Sequence, residues 1–201
     1  MQANSNYTVV NIRQYLNSDN PILGEDTLKK VLSEFLCPLN PDVERFLKEQ
    51  AIDFAKKQQA VTYLLISLED GALLGYFSIT VKPLVVSAEP FSNTMRRKLA
   101  RFSDINQEEQ TYNMAAYLIA QLGKNFNEKV AGRITGDEII ALAIEQLKYV
   151  QYEIGGSVSF VEAEDREKLL AFYENCGYKR FATRQTSSDE PHELIQLLKL
   201  I

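Results

Sequence analysis

The stretch of this chain best suited to hold a ligand is Arg133-Ile-Thr-Gly136-Asp137-Glu138. A glycine there lets the backbone come close to a bound group. A helix start offers unpaired N–H groups and the positive end of a dipole. A strand feeding such a turn makes a phosphate cradle, in which the N–H groups of Thr135, Gly136, Asp137 and Glu138 would face the phosphates. Arg133 could add charge, although loop arginines are most often merely solvated. Upstream, Gly123 stands between Leu122 and Lys124 in an apolar run, where a glycine permits either a close approach or a bulge.

Other chemistries find little support. With one histidine and two cysteines, Cys37 and Cys176, there is no CxxC pair and little material for a Cys/His metal site or a His-dependent triad. His192, at the start of the last expected strand, reads as structural or solvent-facing. Gly123-Lys124-Asn125 resembles the end of a Walker A loop, but Leu118 stands where its first glycine belongs and Asn125 where Ser or Thr belongs.

The elements that must position the cradle follow from patterning. Ala116-Tyr-Leu-Ile-Ala-Gln-Leu-Gly-Lys-Asn-Phe126 reads as a strand. Ile140, Ala143, Ile144, Leu147 and Ile154 mark one face of a long helix that Gly155 and Gly156 stop. Residues 7–16 suggest a first strand and 25–36 a helix. Asn40-Pro41-Asp42 starts another helix by cap, proline and acidic first turn. Residues 61–68 and 73–81 form two strands around Glu69-Asp70-Gly71, a hairpin signal, with Gly75 marking a bulge or a close approach. Residues 87–113 are polar and predict a long connection, with a short helix over 93–102. Residues 178–184 and 192–201 complete the strands.

The totals set bounds. A chain of 201 residues with 45% hydrophobic and 24% charged residues suits one domain, 1–201, with a sizeable core. The formal charge, 22 − 27 = −5, supplies no global field for nucleic acid. Arg96, Arg97, Lys98 and Arg101 are a local exception, either a solvated helix face or a substrate or partner contact. No apolar run spans a membrane, and MQANSNYTVV lacks the features of a signal peptide, so a cytoplasmic protein is expected.

Two motifs carry a resemblance. Arg133-x-x-Gly136-x-Glu138 at a helix start resembles the Arg/Gln-x-x-Gly-x-Gly/Ala loop of the GCN5-related N-acetyltransferase (GNAT) superfamily, with Glu138 departing from the small third residue. About forty residues on, in the order that family uses, Phe172-Tyr173 and Gly177-Tyr178 resemble the end of its core. The resemblance implies an α/β fold: a mixed, mostly antiparallel twisted sheet with helices on both faces. It also implies acetyl-CoA as the acyl-donor co-substrate and transfer of acetyl to an amine on a small molecule or peptide. The backbone of Leu122, Gly123 and Lys124 would pair with the pantetheine arm. Tyr173 would protonate the leaving thiolate, or else be a packed aromatic. As general base, Glu162 on the preceding strand and an ordered water are equally eligible. A toxin-type enzyme acting on aminoacyl-tRNA is the enzymatic alternative, though the acidic balance makes nucleic acid an unexpected partner. A non-catalytic acyl-CoA-binding or partner-binding module is the other, motivated by Glu138. A homodimer stays open.

Overall fold

The computed structural model describes residues 6–17, 23–186 and 191–201. The described chain divides into two compact units: residues up to Thr80 with Ala120–Ala143, and Val81–Ile119 with Ile144–Ile201.

In the first unit, β1 (Tyr7–Asn11) pairs antiparallel with β2 (Val61–Ser67), and β2 with β3 (Leu73–Ser87). Between β1 and β2 come α1 (Arg13–Leu16), α2 (Glu25–Ser33), α3 (Pro41–Arg45), a π-turn (Phe46–Gln50) and α4 (Ala51–Lys56). The expected cap is present, as the Asn40 side chain accepts from the N–H groups of Asp42 and Val43. Leu28, Leu32, Phe35, Phe46, Leu47 and Tyr76 fill this unit's core. Tyr76 sits edge-on to Phe35 and donates its hydroxyl to the Val43 carbonyl at 2.6 Å. The hairpin turn falls where Asp70-Gly71 places it, with Gly71 at φ +73°. Gly75 serves both of its expected purposes. The register slips there, and a Cβ would stand 2.8 Å from the Gly123 carbonyl oxygen.

In the second unit, β6 (Val158–Glu164) pairs antiparallel with β8 (Glu193–Leu200), and β8 with β7 (Lys179–Gln185). β5 (Thr111–Lys124) pairs with β6 in parallel through Tyr117↔Ser159 and Leu118↔Phe160, and the two-residue β4 (Ile105–Asn106) flanks its start. α5 (Asn93–Leu99) covers a core of Leu84, Val86, Phe91, Leu99, Tyr112 and Phe160. α6 (Gly136–Ile154) begins in the first unit and ends in the second at Gly155 and Gly156, both at positive φ. The Tyr117 hydroxyl donates to the Gly155 carbonyl there. α7 (Glu167–Asn175) follows β6. The strand order is β1-β2-β3-β5-β6-β8-β7, a mixed and mostly antiparallel sheet with accompanying helices, as the motifs implied.

Several boundaries differ from expectation: α2 ends at Ser33 and not 36, α5 at Leu99 and not 102, and β5 at Lys124 and not Phe126. β1 stops at Asn11, because Ile12 turns into the single turn of α1. β3 runs on to Ser87: Leu84 and Val86 point inward and Val81 and Val85 outward, an alternation that Lys82-Pro83 hides in the sequence. β5 begins at Thr111, so the polar connection is shorter than the 87–113 read from composition. Much of the loop expected between β7 and β8 lies outside the described residues.

Candidate active site

The expected cradle lies in the first unit, and its polar groups already serve one another. Thr135 and Glu138 form a capping box at the start of α6. The Glu138 carboxylate accepts from the Thr135 N–H at 2.8 Å and from the Thr135 hydroxyl at 2.7 Å, and that hydroxyl oxygen accepts from the Glu138 N–H at 3.2 Å. An acetyl-CoA pyrophosphate on this seat would require the carboxylate to point away; it points back and takes the Thr135 N–H, while the Thr135 hydroxyl takes the Glu138 N–H, so two of the four donors expected to face a phosphate are in use. Gly136 and Asp137 are the first residues of α6.

Arg133 is engaged too. Its guanidinium donates to both Asp70 carboxylate oxygens at 2.8 and 3.2 Å and to the Ser67 hydroxyl at 2.6 Å, with Glu69 at 3.5 Å. It is neither a solvated loop arginine nor a free cation, but ties the loop before α6 to the β2–β3 turn. The Arg133 guanidinium in turn holds the Asp70 carboxyl well below the usual carboxylate range.

The end of β5 is packed from within. A Cβ on Gly123 would lie 2.6 Å from Val43 Cγ1, 2.8 Å from Tyr76 Cε1 and 2.9 Å from Phe35 Cζ. Its missing side chain therefore admits core side chains of the same unit, a third outcome beside ligand approach and bulge. Leu122 and Lys124 flank it half-buried, and the Lys124 ammonium stands 4.8 Å from the Phe126 ring centre.

In the second unit Tyr173 is 9% exposed on α7. Its ring meets Phe172 and Tyr178 edge-on, at 5.0 and 5.9 Å between centres, and the Tyr178 hydroxyl pairs with Ser159 at 3.0 Å. Burial pushes the Tyr173 phenol well above a tyrosine's ordinary value and that of Tyr178 up to about 12. The Tyr173 hydroxyl makes no hydrogen bond to the described residues. A phenol so placed keeps its proton at neutral pH and can donate a hydrogen bond to an anion. Full transfer to a thiolate is uphill, not balanced as an unperturbed phenol would allow.

Glu162 has a different post from the one expected. Both its oxygens take Arg184, through Nε and Nη2 at 2.8 Å each, and Gln196 donates to it at 2.8 Å. All three bonds tie the carboxylate in place to β7 and β8. Strand alternation along the unbroken β6 register also puts Glu162 on the face opposite Ser159, the residue that meets Tyr178. The two candidate catalytic residues are not brought together. The sequence reading missed Asp70, Ser67, Arg184 and Gln196, the four partners that decide what Arg133 and Glu162 do.

The capping carboxylate makes a prediction. Glu138→Ala should tighten acetyl-CoA binding by about two- to fivefold, the effect of relieving one anion at a helix start. It should also lower stability by about 1 kcal/mol through the lost cap. Calorimetric titration beside a thermal melt reads both; unchanged or weaker binding means that the carboxylate does not compete.

No protein-family model and no curated protein matches the chain. Solved structures do. A tyrosine-to-phenylalanine mutant of the toxin AtaT is 15% identical at a TM-score of 0.65, covering 100% of this chain and 92% of that one. A tyrosine-to-phenylalanine mutant of KacT is 20% identical at 0.64, covering 96% and 95%. AtaT complexed with acetyl-methionyl-tRNAfMet is 15% identical at 0.63, covering 94% and 93%. At these identities the likeness establishes architecture, and over its whole described length the chain has the GNAT fold.

Proposed function

We propose that the chain is an acetyl-CoA-dependent N-acetyltransferase, a single cytoplasmic domain comprising both units. The observation that carries this is Tyr173: a side chain 9% exposed that keeps its proton and whose hydroxyl has no hydrogen-bond partner among the described residues, on a fold whose solved relatives include AtaT with acetyl-CoA. Acetyl-CoA holds an already activated acyl group, so positioning supplies much of the rate. Tyr173 donates to the departing sulfur, the α6 start receives the pyrophosphate once Glu138 swings aside, and a water serves as base. Among the described residues no helix is long and apolar enough to cross a membrane. Acetyl-CoA mixed with a panel of amines, read by release of free thiol, tests the reading. No release above hydrolysis with any acceptor sinks it.

A second reading, in which the amine belongs to aminoacyl-tRNA, is favoured by α5. Arg97 and Lys98 are exposed on it and Arg101 just beyond its end, whereas Arg96 is spent on the carbonyls of Phe91 and Glu89. The AtaT complex with a charged tRNA supports the same acceptor class, and a net charge of −5 does not preclude a local basic face. Arg97→Glu with Lys98→Glu should then raise the KM for aminoacyl-tRNA and flatten its salt dependence by about one unit per lost phosphate contact, with acetyl-CoA affinity intact. Equal kinetics in mutant and wild type would return α5 to a solvated face.

A further inference from the structure

The Glu162–Arg184 pair borders a cavity of about 320 Å³ within the second unit. Leu84, Leu118 and Phe160 give it an apolar lining, and Lys82, Glu162, Arg184 and Gln196 give it a polar one. Leu118 and Phe160 are also the last residue pair of the parallel β5–β6 ladder, so the cavity sits where that pairing ends.

The polar groups are unequally used. Glu162 spends both oxygens on Arg184 and Gln196. Arg184 uses Nε and Nη2 for that pair and has no partner for Nη1 among the described residues. Lys82 is exposed and makes no ion pair among them. Two cations against one carboxylate leave the lining one positive charge in excess, in a chain whose total is −5. The Arg184 side chain is 46% exposed, and a solvent-facing ion pair adds little stability, so stability alone does not explain an Arg–Glu pair at the edge of a cavity. What the pair does supply is a fixed guanidinium. Its planar fork is held by one edge, and its other edge remains available to an anion.

We propose that this cavity binds a small organic anion with an apolar body. The anionic group meets Lys82 and the open edge of Arg184, and the body lies on Leu84, Leu118 and Phe160. Glu162 is a positioning residue for Arg184. The volume is at the lower end of the roughly 300–1,000 Å³ usual for ligand pockets, which suits a single amino acid or a mononucleotide. A carboxylate and a phosphate share the required chemistry. On the acetyl-transfer reading this ligand is the acceptor, and the inference rests on that reading for the ligand's role alone. Binding is measured without acetyl donor, so it stands or falls separately from turnover.

The test is calorimetric titration of the full chain with N-acetylleucine, with its neutral amide N-acetylleucinamide, and with AMP. At least one of the two anions should bind; which one it is distinguishes a carboxylate ligand from a phosphate ligand. The neutral amide should bind at least about tenfold more weakly than N-acetylleucine if the carboxylate is the group held, the usual worth of a charge-assisted contact. Lys82→Gln, at an exposed position without an ion-pair partner among the described residues, should fold normally and weaken the anion by about two- to fivefold. Glu162→Gln with Arg184→Gln removes the pair without stranding a charge and should abolish the preference for the anion over a neutral ligand. Binding of neither anion, or anion affinity unchanged in Lys82→Gln and in the double variant, overturns the proposal.

Discussion

Tyr173→Phe should lower the turnover number by at least about tenfold, a floor beneath the roughly 10²–10⁴ that a positioned acid contributes. The ring stays, and with it the contacts to Phe172 and Tyr178. Only the hydroxyl leaves, and it makes no hydrogen bond to the described residues, so stability should shift by less than about 1 kcal/mol. Acetyl-CoA affinity should stay within about threefold, because the lost interaction belongs to the transition state. Alkaline stability supplies a second reading. The folded chain keeps the Tyr173 proton above about pH 10, where an unfolded tyrosine loses it. Stability is therefore fully present below that pH and falls as pH rises toward the raised folded value. The mutant should lose less stability over that range than the wild type. Unchanged turnover with the altered alkaline profile would make Tyr173 a core residue and leave the acid to water.

Gly123→Val should cost at least about 3 kcal/mol, the upper end of ordinary overpacking, and lower Tm by roughly 6–12 °C for a chain of this size. The colliding atoms cannot give way cheaply. Val43 is stiff at χ1, and the Tyr76 ring is pinned by its hydroxyl on the Val43 carbonyl. Adding Val43→Ala should restore part of the loss, and a double-mutant cycle should show coupling between the two positions. Gly123→Ala with a wild-type melt would mean that the packing around β5 relaxes freely.

Periodic elements closed by glycine were legible from sequence: α6 with Gly155, the Asp70-Gly71 hairpin, and α7 before Gly177. β3 was read short because Lys82-Pro83 interrupts its alternation, and β5 because Thr111 and Asn113 are polar. The site was harder to read for a different reason. Thr135-x-x-Glu138 is at once part of a phosphate-loop pattern and a capping box, and nothing local says which use prevails. The partners of Arg133 and Glu162 lie 63, 22 and 34 residues away, at Asp70, Arg184 and Gln196. Pairings at that range leave no periodic trace. They form because the sheet brings the strands together, and they then determine which charges a ligand would meet.

The Arg133 clamp also bears on how portable the α6 loop is. Its conformation is set by Ser67 and Asp70, on the turn of a hairpin more than sixty residues earlier in the chain. Residues 125–138 grafted alone onto a foreign scaffold would arrive without their tether, with an arginine free to turn toward any nearby carboxylate. A transplant that keeps the loop's shape has to carry the hairpin with it. The smallest transferable unit is thus two discontinuous segments held in register by one guanidinium.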